Sequence, residues 1–327
     1  MERLRIGILG ASRIAEAAIV KPAHELGHRL VAVAARDRSR AESFAKKYGV
    51  ERVLDTYDAV VEDPEVDVVY NPLANAFHAR WNLAAVHAGK PVLTEKPFAR
   101  NAVEAEDVRN AALELGVPIL EGFHYLFHPI TLRMFDVVAC GTIGELRRVE
   151  VVMRMPSPGD DDPRWRYDLA GGSGMDLGCY GIHVLRQVGK RLAGGDPKLI
   201  EAKAVERLDR VDESFDLQVE FPSGATGSVE TSMVADKYDM SFRLIGTRGE
   251  VFAPDYALQY GDDRVVTTTE HGSTVEHLGT RSTYTYQLDA FAQHLQNGAA
   301  MPFGLDDAVA NMAFIDAAYV ATGLGTR

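Results

Sequence analysis

Three groups of residues have the types and spacing to do chemistry. Lys96, in Val92-Leu93-Thr94-Glu95-Lys96-Pro97, follows an apolar run. A lysine at the end of a buried strand keeps its stem in apolar surroundings and its ammonium near an opening, which favours proton handling. Alone, these six residues read more plainly as a surface Lys-Pro turn. Asp176, Tyr180 and His183 follow the glycine-rich Gly171-Gly172-Ser173-Gly174. Their i, i+4, i+7 spacing predicts one helical face carrying a carboxylate, a phenol and an imidazole, a set able to position a substrate hydroxyl and exchange its proton. A polar face packed on a sheet by ordinary hydrogen bonds fits the same spacing.

The third group is the turn Gly10-Ala11-Ser12-Arg13-Ile14-Ala15. Gly10 and Ala15 fit the first and third positions of the dinucleotide fingerprint, where a tight turn and close helix packing need small residues. Ser12 stands where the second glycine usually lies; it is small enough for close backbone approach, and its hydroxyl can bond a phosphate beside the helix amides. A tight strand-to-helix turn without nucleotide is the alternative. Downstream, Arg36, Arg38 and Arg40 stand where an acid would hold a ribose 2′-hydroxyl and arginine suits a 2′-phosphate, so NADP is expected over NAD. Asp37 is the ribose acid if the register is off by one. An exposed cluster of charges at a helix start explains the same residues.

Other segments gather around these. Asn71 and His78 are candidate cofactor contacts, and a helix N-cap role suits His78 equally. His124 and His128 are spaced as on a metal-binding helix face, but the segment is expected to break at Pro129 and no carboxylate motif supports a metal. These residues and Tyr125 read as pocket wall, with no metal site. Trp165 can stack on a sugar ring and Arg164 can bond its hydroxyls, although a packed loop anchor explains Trp165 as well.

The elements that must position these groups alternate along the first half. Strands are expected at Arg5 to Gly10, Leu30 to Ala35, Val66 to Leu73, Pro91 to Glu95 and Val117 to Gly122. Helices are expected at Arg13 to Gly27, Ser39 to Tyr48 with Ser39 as N-cap, Ala79 to Ala88 and Val103 to Leu115. This alternation implies right-handed βαβ units and an α/β Rossmann domain with a doubly wound parallel sheet, over residues 1–124. From Glu145 the texture is β-rich: Glu145 to Met155, Leu199 to Arg207, Phe215 to Phe221, Thr226 to Met233, Met240 to Ile245, Gly249 to Ala253 and Arg264 to Thr269. Residues 125–327 therefore read as an α+β domain with a large, mainly antiparallel open sheet for substrate binding and oligomerisation. Helices near Thr285 to Asn297 and Asp307 to Ala321 close the chain, the last able to pack back on the first domain.

Composition narrows the partners. With 35 Lys and Arg against 47 Asp and Glu, a formal charge of −12 disfavours a non-specific grip on nucleic acid or anionic membrane. The apolar run Ile6 to Leu9 is too short for a signal core or a membrane span. Cys140 and Cys179 are the only cysteines and lack metal spacing, so a cytoplasmic setting is expected.

Together, the Gly10 to Ala15 turn, Glu95-Lys96-Pro97 and the Gly171-Gly172 segment leading to Asp176 and Tyr180 resemble the Gfo/Idh/MocA oxidoreductases over nearly the whole chain. Through Ala34 to Arg40 and Glu121 to Pro129 the chain is similar to the branch with dimeric dihydrodiol dehydrogenase, NADP-dependent xylose dehydrogenase and glucose–fructose oxidoreductase. The resemblance implies hydride transfer between a nicotinamide and a carbinol carbon of a sugar, cyclic polyol or dihydrodiol. It implies cofactor contacts at Gly10, Ser12, Arg13, Ile14, Arg36 and Arg40, then at Asn71, Pro72, Leu73, His78, Glu95 and Lys96. Lys96 matches the catalytic lysine, Pro97 a proline that is often cis, Asp176 the acid of its helix, and Tyr180 the proton-transferring position. His183 departs from the Asn or Asp expected there, which leaves substrate identity open. In the expected mechanism Tyr180 takes the hydroxyl proton and Lys96⁺ lowers its pKa. Substrate contacts are expected at His124, Tyr125, Arg164, Trp165, Asp176 and His183. A homodimer or homotetramer through the second sheet is expected. A nicotinamide-dependent glycosidase and a non-catalytic dinucleotide sensor are the alternatives.

Overall fold

The computed structural model describes residues 2–327, and the chain divides into two compact units, Met1–His124 with Tyr284–Ala310 and Tyr125–Thr283 with Asn311–Arg327. In the first, β1 (Arg5–Leu9), α1 (Lys21–Leu26), β2 (Arg29–Ala34), α2 (Arg38–Tyr48), β3 (Arg52–Val53), α3 (Tyr57–Val61), β4 (Val68–Asn71), α4 (His78–His87), β5 (Val92–Thr94), α5 (Ala102–Leu115) and β6 (Ile119–Glu121) follow one another. They build one parallel sheet in the order β3-β2-β1-β4-β5-β6. Its central strands are buried on both faces, as helices covering a parallel sheet require. Leu9, Val31, Val60, Val69, Trp81 and Val92 pack together in this core. Strand order reverses between β1 and β4, where ligands of such sheets bind. Asn71, Thr94 and Glu121 lie in register on β4, β5 and β6, so the loops that follow leave the sheet at one level.

Several boundaries differ from expectation for local reasons. The helix expected over 13–27 is a π-helical turn, Glu16–Val20, running into α1. Pro22 has no N–H to give the Ala18 carbonyl, and the wider hydrogen-bond register accommodates this. Asp37, not Ser39, caps α2: its carboxylate accepts the Ser39 N–H at 2.9 Å and the Ser39 hydroxyl at 2.7 Å. The two-residue β3 and five-residue α3 are additions.

In the second unit, α6 (Pro129–Ala139), β7 (Leu146–Arg154), α7 (Cys179–Leu192), β8 (Lys198–Leu208), β9 (Val211–Glu220), β10 (Thr226–Ser232), β11 (Phe242–Gly246), β12 (Gly249–Ala253), β13 (Arg264–Thr269) and β14 (Gly272–His277) follow. The sheet order is β14-β13-β12-β11-β7-β10-β9-β8, antiparallel except for β7 with β10. The inward side chains of β7, β9, β10 and β11, among them Val151, Phe215, Val229 and Phe242, are fully buried, and so is nearly all of α7. β14, polar and exposed, is an addition to the expected strands. Pro129 opens a helix rather than breaking the segment. It occupies the first turn, where a missing N–H costs nothing, and His128 caps it.

The last helices are α8 (Thr283–Asn297) and α9 (Leu305–Thr322). In α8, Thr285 donates to Glu25 at 3.0 Å and Gln296 to the Glu2 carbonyl at 2.7 Å, which ties it to the Rossmann unit. Among the described residues, no helix is long and apolar enough to cross a membrane.

Candidate functional site

At the end of β1, Gly10 takes φ +90° and donates its N–H to the Ala34 carbonyl at 2.7 Å. A Cβ here would strain the backbone and press on Leu73 at 3.0 Å, so glycine is needed. The Ser12 hydroxyl oxygen is buried and has no hydrogen-bond partner among the described residues. An orphaned hydroxyl in a strand-to-helix turn is suited to a phosphate oxygen. Arg13 and Ile14 are exposed beside it.

The arginines separate by partner. Arg38 pairs with Glu42 and Asp55, and Arg40 reaches the Ala11 carbonyl of the turn at 3.2 Å. Arg36 is exposed, with no hydrogen bond or ion pair among the described residues. Asp37 is committed to its cap; the Ser39 hydroxyl, then the Ser39 amide, hold its carboxyl below the usual range. The turn and Arg36 thus fit the phosphates of a dinucleotide carrying a 2′-phosphate.

Lys96 follows β5, is half-buried, and is joined to Pro97 by a cis peptide bond. Beneath it, Tyr70 donates to Glu95 at 2.8 Å, and burial first, then Glu95, pushes the Tyr70 phenol well up. Asn71 is fully buried, donating to Asn82 at 2.8 Å and to the His78 carbonyl at 3.2 Å. His78 is not the N-cap of α4, which starts at His78 itself with Phe77 as its cap, and it is not an open contact, because it is fully buried. Its ring is fully buried between the Pro97 carbonyl, 2.6 Å from Nδ1, and the Leu73 carbonyl, 2.8 Å from Nε2. Burial lowers its pKa. His78 and Asn71 therefore bind together the loops after β4 and β5. Pro72 is buried and Leu73 half-buried there. His124 is also buried, stacked on Tyr284 with centroids 3.8 Å apart, so it is not an open pocket wall.

In the second unit the helix carrying Asp176 and Tyr180 begins with a π-helical turn, Gly174–Gly178, which then becomes α7. The wider turn upsets the single-face geometry. Asp176 is partly exposed and pairs with Arg164 at 2.9 Å, Tyr180 is 6% exposed, and His183 is fully buried. His183 Nδ1 lies 2.7 Å from the hydroxyl of Tyr125, which is also fully buried. Contrary to the expectation that both contact substrate, neither side chain is exposed. Trp165 is buried, its N–H donating to the Pro158 carbonyl at 3.3 Å and Arg207 lying 4.5 Å from its ring centre, so it anchors its loop.

The sequence hides the group that seats this turn. Asp212 on β9 is fully buried; its Oδ2 accepts the Gly174 N–H at 2.6 Å, and its Oδ1 accepts from Tyr319 at 2.9 Å and Arg327 at 2.7 Å. A Cβ at Gly172 would lie 2.2 Å from Asp212, and one at Gly174 2.5 Å from the Tyr319 hydroxyl. The glycine run was therefore the one sequence signal that another element approaches here.

His128 is the N-cap of α6, its Nδ1 accepting the Ile130 N–H at 3.2 Å, which requires a bare nitrogen. Burial lowers its pKa to about 4. Between about 6.5, the unfolded value, and 4 the unfolded chain binds the extra proton, so stability falls as pH drops through that window. Thermal melts of His128→Asn, which keeps a capping side chain, should lose part of this slope; a slope equal to wild type would remove His128 as its source. Among the described residues, no group of three or more His, Cys, Asp or Glu side chains could hold a metal.

The comparisons agree with this architecture. The family described as "Oxidoreductase family, NAD-binding Rossmann fold" matches residues 4–123, and the GFO/IDH/MocA C-terminal domain matches residues 131–252. D-xylose 1-dehydrogenase (NADP(+)) 2 of Haloferax volcanii is 32% identical over 330 residues, covering 98% of both proteins. Trans-1,2-dihydrobenzene-1,2-diol dehydrogenase of Mus musculus is 31% identical over 253 residues, 75% of this chain and 73% of that one. The structure of a 3-ketoreductase from Actinomadura kijaniata in complex with NADP and TDP-benzene superposes with a TM-score of 0.88 at 26% identity over 98% of both chains. With a Rossmann unit, a second unit built on an open, mostly antiparallel sheet, and a 32% identical relative over 98% of its length, the chain belongs to the GFO/IDH/MocA family of NAD(P)-binding oxidoreductases.

Proposed function

We propose that the protein is an NADP-dependent dehydrogenase or reductase acting on a CH–OH or C=O carbon of a sugar, cyclic polyol or dihydrodiol. The observation that carries the cofactor choice is Arg36, exposed and unengaged among the described residues, together with a turn whose buried Ser12 hydroxyl has no partner among them. The relatives' names, a xylose dehydrogenase using NADP(+) and a dihydrodiol dehydrogenase, support the substrate class.

When bound, the nicotinamide gives or takes the hydride. Tyr180 takes the hydroxyl proton in oxidation and returns it in reduction. A phenol with a pKa of about 10 is a poor base at neutral pH, and the Lys96 ammonium favours its phenolate and the developing alkoxide. Asp176, its carboxylate held by Arg164, accepts from a neighbouring substrate hydroxyl. His78 and Asn71 act as positioning residues that hold the Lys96-Pro97 loop. The protein works in the cytoplasm as a homodimer or homotetramer through the second sheet, whose edge strand β8 exposes Ile200, Val205 and Leu208; a monomer in sedimentation at assay concentration removes this last part.

The testing experiment follows absorbance at 340 nm with aldoses, cyclic polyols and dihydrodiols, each with NADP⁺ and NAD⁺. NADP⁺ reduction should dominate, and Arg36→Ala should weaken NADP⁺ binding about ten- to a hundred-fold, the worth of charge-assisted phosphate bonds, while leaving NAD⁺ unchanged. NAD⁺ preference with an unaltered Arg36→Ala enzyme overturns the cofactor assignment. Sugar release from aryl glycosides without net NADP⁺ reduction, or NADP⁺ binding without any turnover, overturns the reaction.

A further inference from the structure

We infer that Asp212, Thr231 and Arg327 are positioning residues for the substrate-binding carboxylate, holding the turn at 171–174 from three sides so that Asp176 stands in one place. The inference rests on the proposed role of Asp176 as a substrate contact. Arg327 Nε donates to the Gly171 carbonyl at 3.2 Å, and its Nη2 donates to Asp212 Oδ1 at 2.7 Å. Asp212 Oδ2 accepts the Gly174 N–H at 2.6 Å. Between these, the Ser173 hydroxyl lies 2.7 Å from the Thr231 hydroxyl, which donates to the Phe215 carbonyl at 2.8 Å. Asp212 belongs to β9, Thr231 to β10, and Arg327 follows α9, so three separate parts of the chain each bond a different residue of the turn. Ser173, Thr231 and Asp212 are all buried.

The turn passes this order on to Asp176 and Arg164. The Gly172 carbonyl accepts the Asp176 N–H at 3.0 Å, and the Gly172 N–H donates to the Arg164 carbonyl at 2.9 Å. The Arg164 guanidinium pairs with Asp176 Oδ2 at 2.9 Å. These three contacts close a ring through Gly172, Arg164 and Asp176, so the carboxylate moves when the turn moves. The turn itself has no slack, because a Cβ at Gly171 would lie 2.3 Å from the Arg164 carbonyl oxygen. Ala170, just before it, takes φ +57°, a left-handed conformation that a side chain disfavours and that persists where the surroundings impose it.

The chemistry of these anchors suits placement better than adhesion. A buried ion pair is a weak source of stability, since well-packed apolar residues of similar volume hold elements together without desolvating two charges. Its bonds are directional, and a carboxylate displaced by about 1 Å from a substrate hydroxyl no longer makes its hydrogen bond. The loop that carries Arg164 also brings Arg327 into place: the Tyr167 hydroxyl donates to the Thr326 carbonyl at 3.2 Å, and the Arg327 guanidinium lies 5.5 Å from the Tyr167 ring centre.

A double-variant cycle tests this, run with NADP⁺ and the carbinol substrate it oxidises fastest, at a temperature where circular dichroism shows each variant folded. Arg327→Ala should raise the substrate KM about ten-fold, the worth of one hydrogen bond to a charged group, with kcat within a few-fold of wild type and NADP⁺ affinity unchanged. Thr231→Val, which removes the hydroxyl facing Ser173 and keeps the branched shape, should act in the same direction and carries the cycle if the alanine variant does not fold. In an Asp176→Ala background either substitution should add almost nothing, because the group it positions is gone. Effects that multiply, or a fall in kcat with the substrate KM unmoved, would assign the anchors a purely structural role and overturn the inference. If Asp176→Ala raises KM while the anchor variants leave it at the wild-type value, the inference alone fails. An unaltered KM in Asp176→Ala removes Asp176 as a substrate contact and the inference with it.

Discussion

Replacing Tyr180 with phenylalanine is expected to lower kcat for carbinol oxidation by about a hundred- to ten-thousand-fold, the usual contribution of a positioned proton-transfer group. NADP⁺ affinity should stay at the wild-type level. The variant removes one oxygen and keeps the ring that packs beside Tyr125, so the fold of α7 is not challenged. Lys96, the proposed electrostatic partner of the alkoxide, remains in place, and on that proposal the residual rate reports what charge alone supplies. Turnover and cofactor binding are measured in parallel at saturating NADP⁺; near wild-type kcat would show that proton transfer is done elsewhere.

Arg327→Ala is expected to cost about 3 to 5 kcal/mol of stability, the penalty for leaving a buried charge without its partner. Asp212 and Arg327 are both shielded from solvent, their side chains 0% and 1% exposed. Burial raises the Asp212 pKa, while Arg327, then the Gly174 amide and Tyr319, oppose that rise. Removing the guanidinium takes away the strongest opposition. Adding Asp212→Asn removes the charge itself and should recover much of the loss. Urea unfolding of the single and double variants checks this: equal costs for both would mean that lost packing of Arg327 over the Tyr319 ring, 3.9 Å away, is the main effect.

The same cluster shows what a sequence can and cannot reveal. Central strands such as Val68–Asn71 and long helices such as Ala102–Leu115 announce themselves by unbroken apolar runs and by periodicity. The fingerprint at Gly10 and the lysine after β5 fall where the parallel sheet needs them. Hidden features depend on partners far along the chain. Asp212 meets Gly174, and His183 meets Tyr125, across spans with no local pattern. The π-helical turns at Glu16–Val20 and Gly174–Gly178 have no signature in a 3.6-residue period, which is why Asp176, Tyr180 and His183 were expected on one face. Pro129 read as a breaker because the first turn of a helix and the end of one both suit proline. Exposed strand β14, Gly-Ser-Thr-Val-Glu-His, has no buried face to write an alternation.

The most direct measurement of the central claim uses a substrate carrying deuterium at the carbinol carbon. On oxidation by the enzyme with NADP⁺, one deuterium per turnover should be recovered in NADPH, with none released to water. Recovery of the label in solvent, or product formed without NADPH, would contradict hydride transfer to the cofactor.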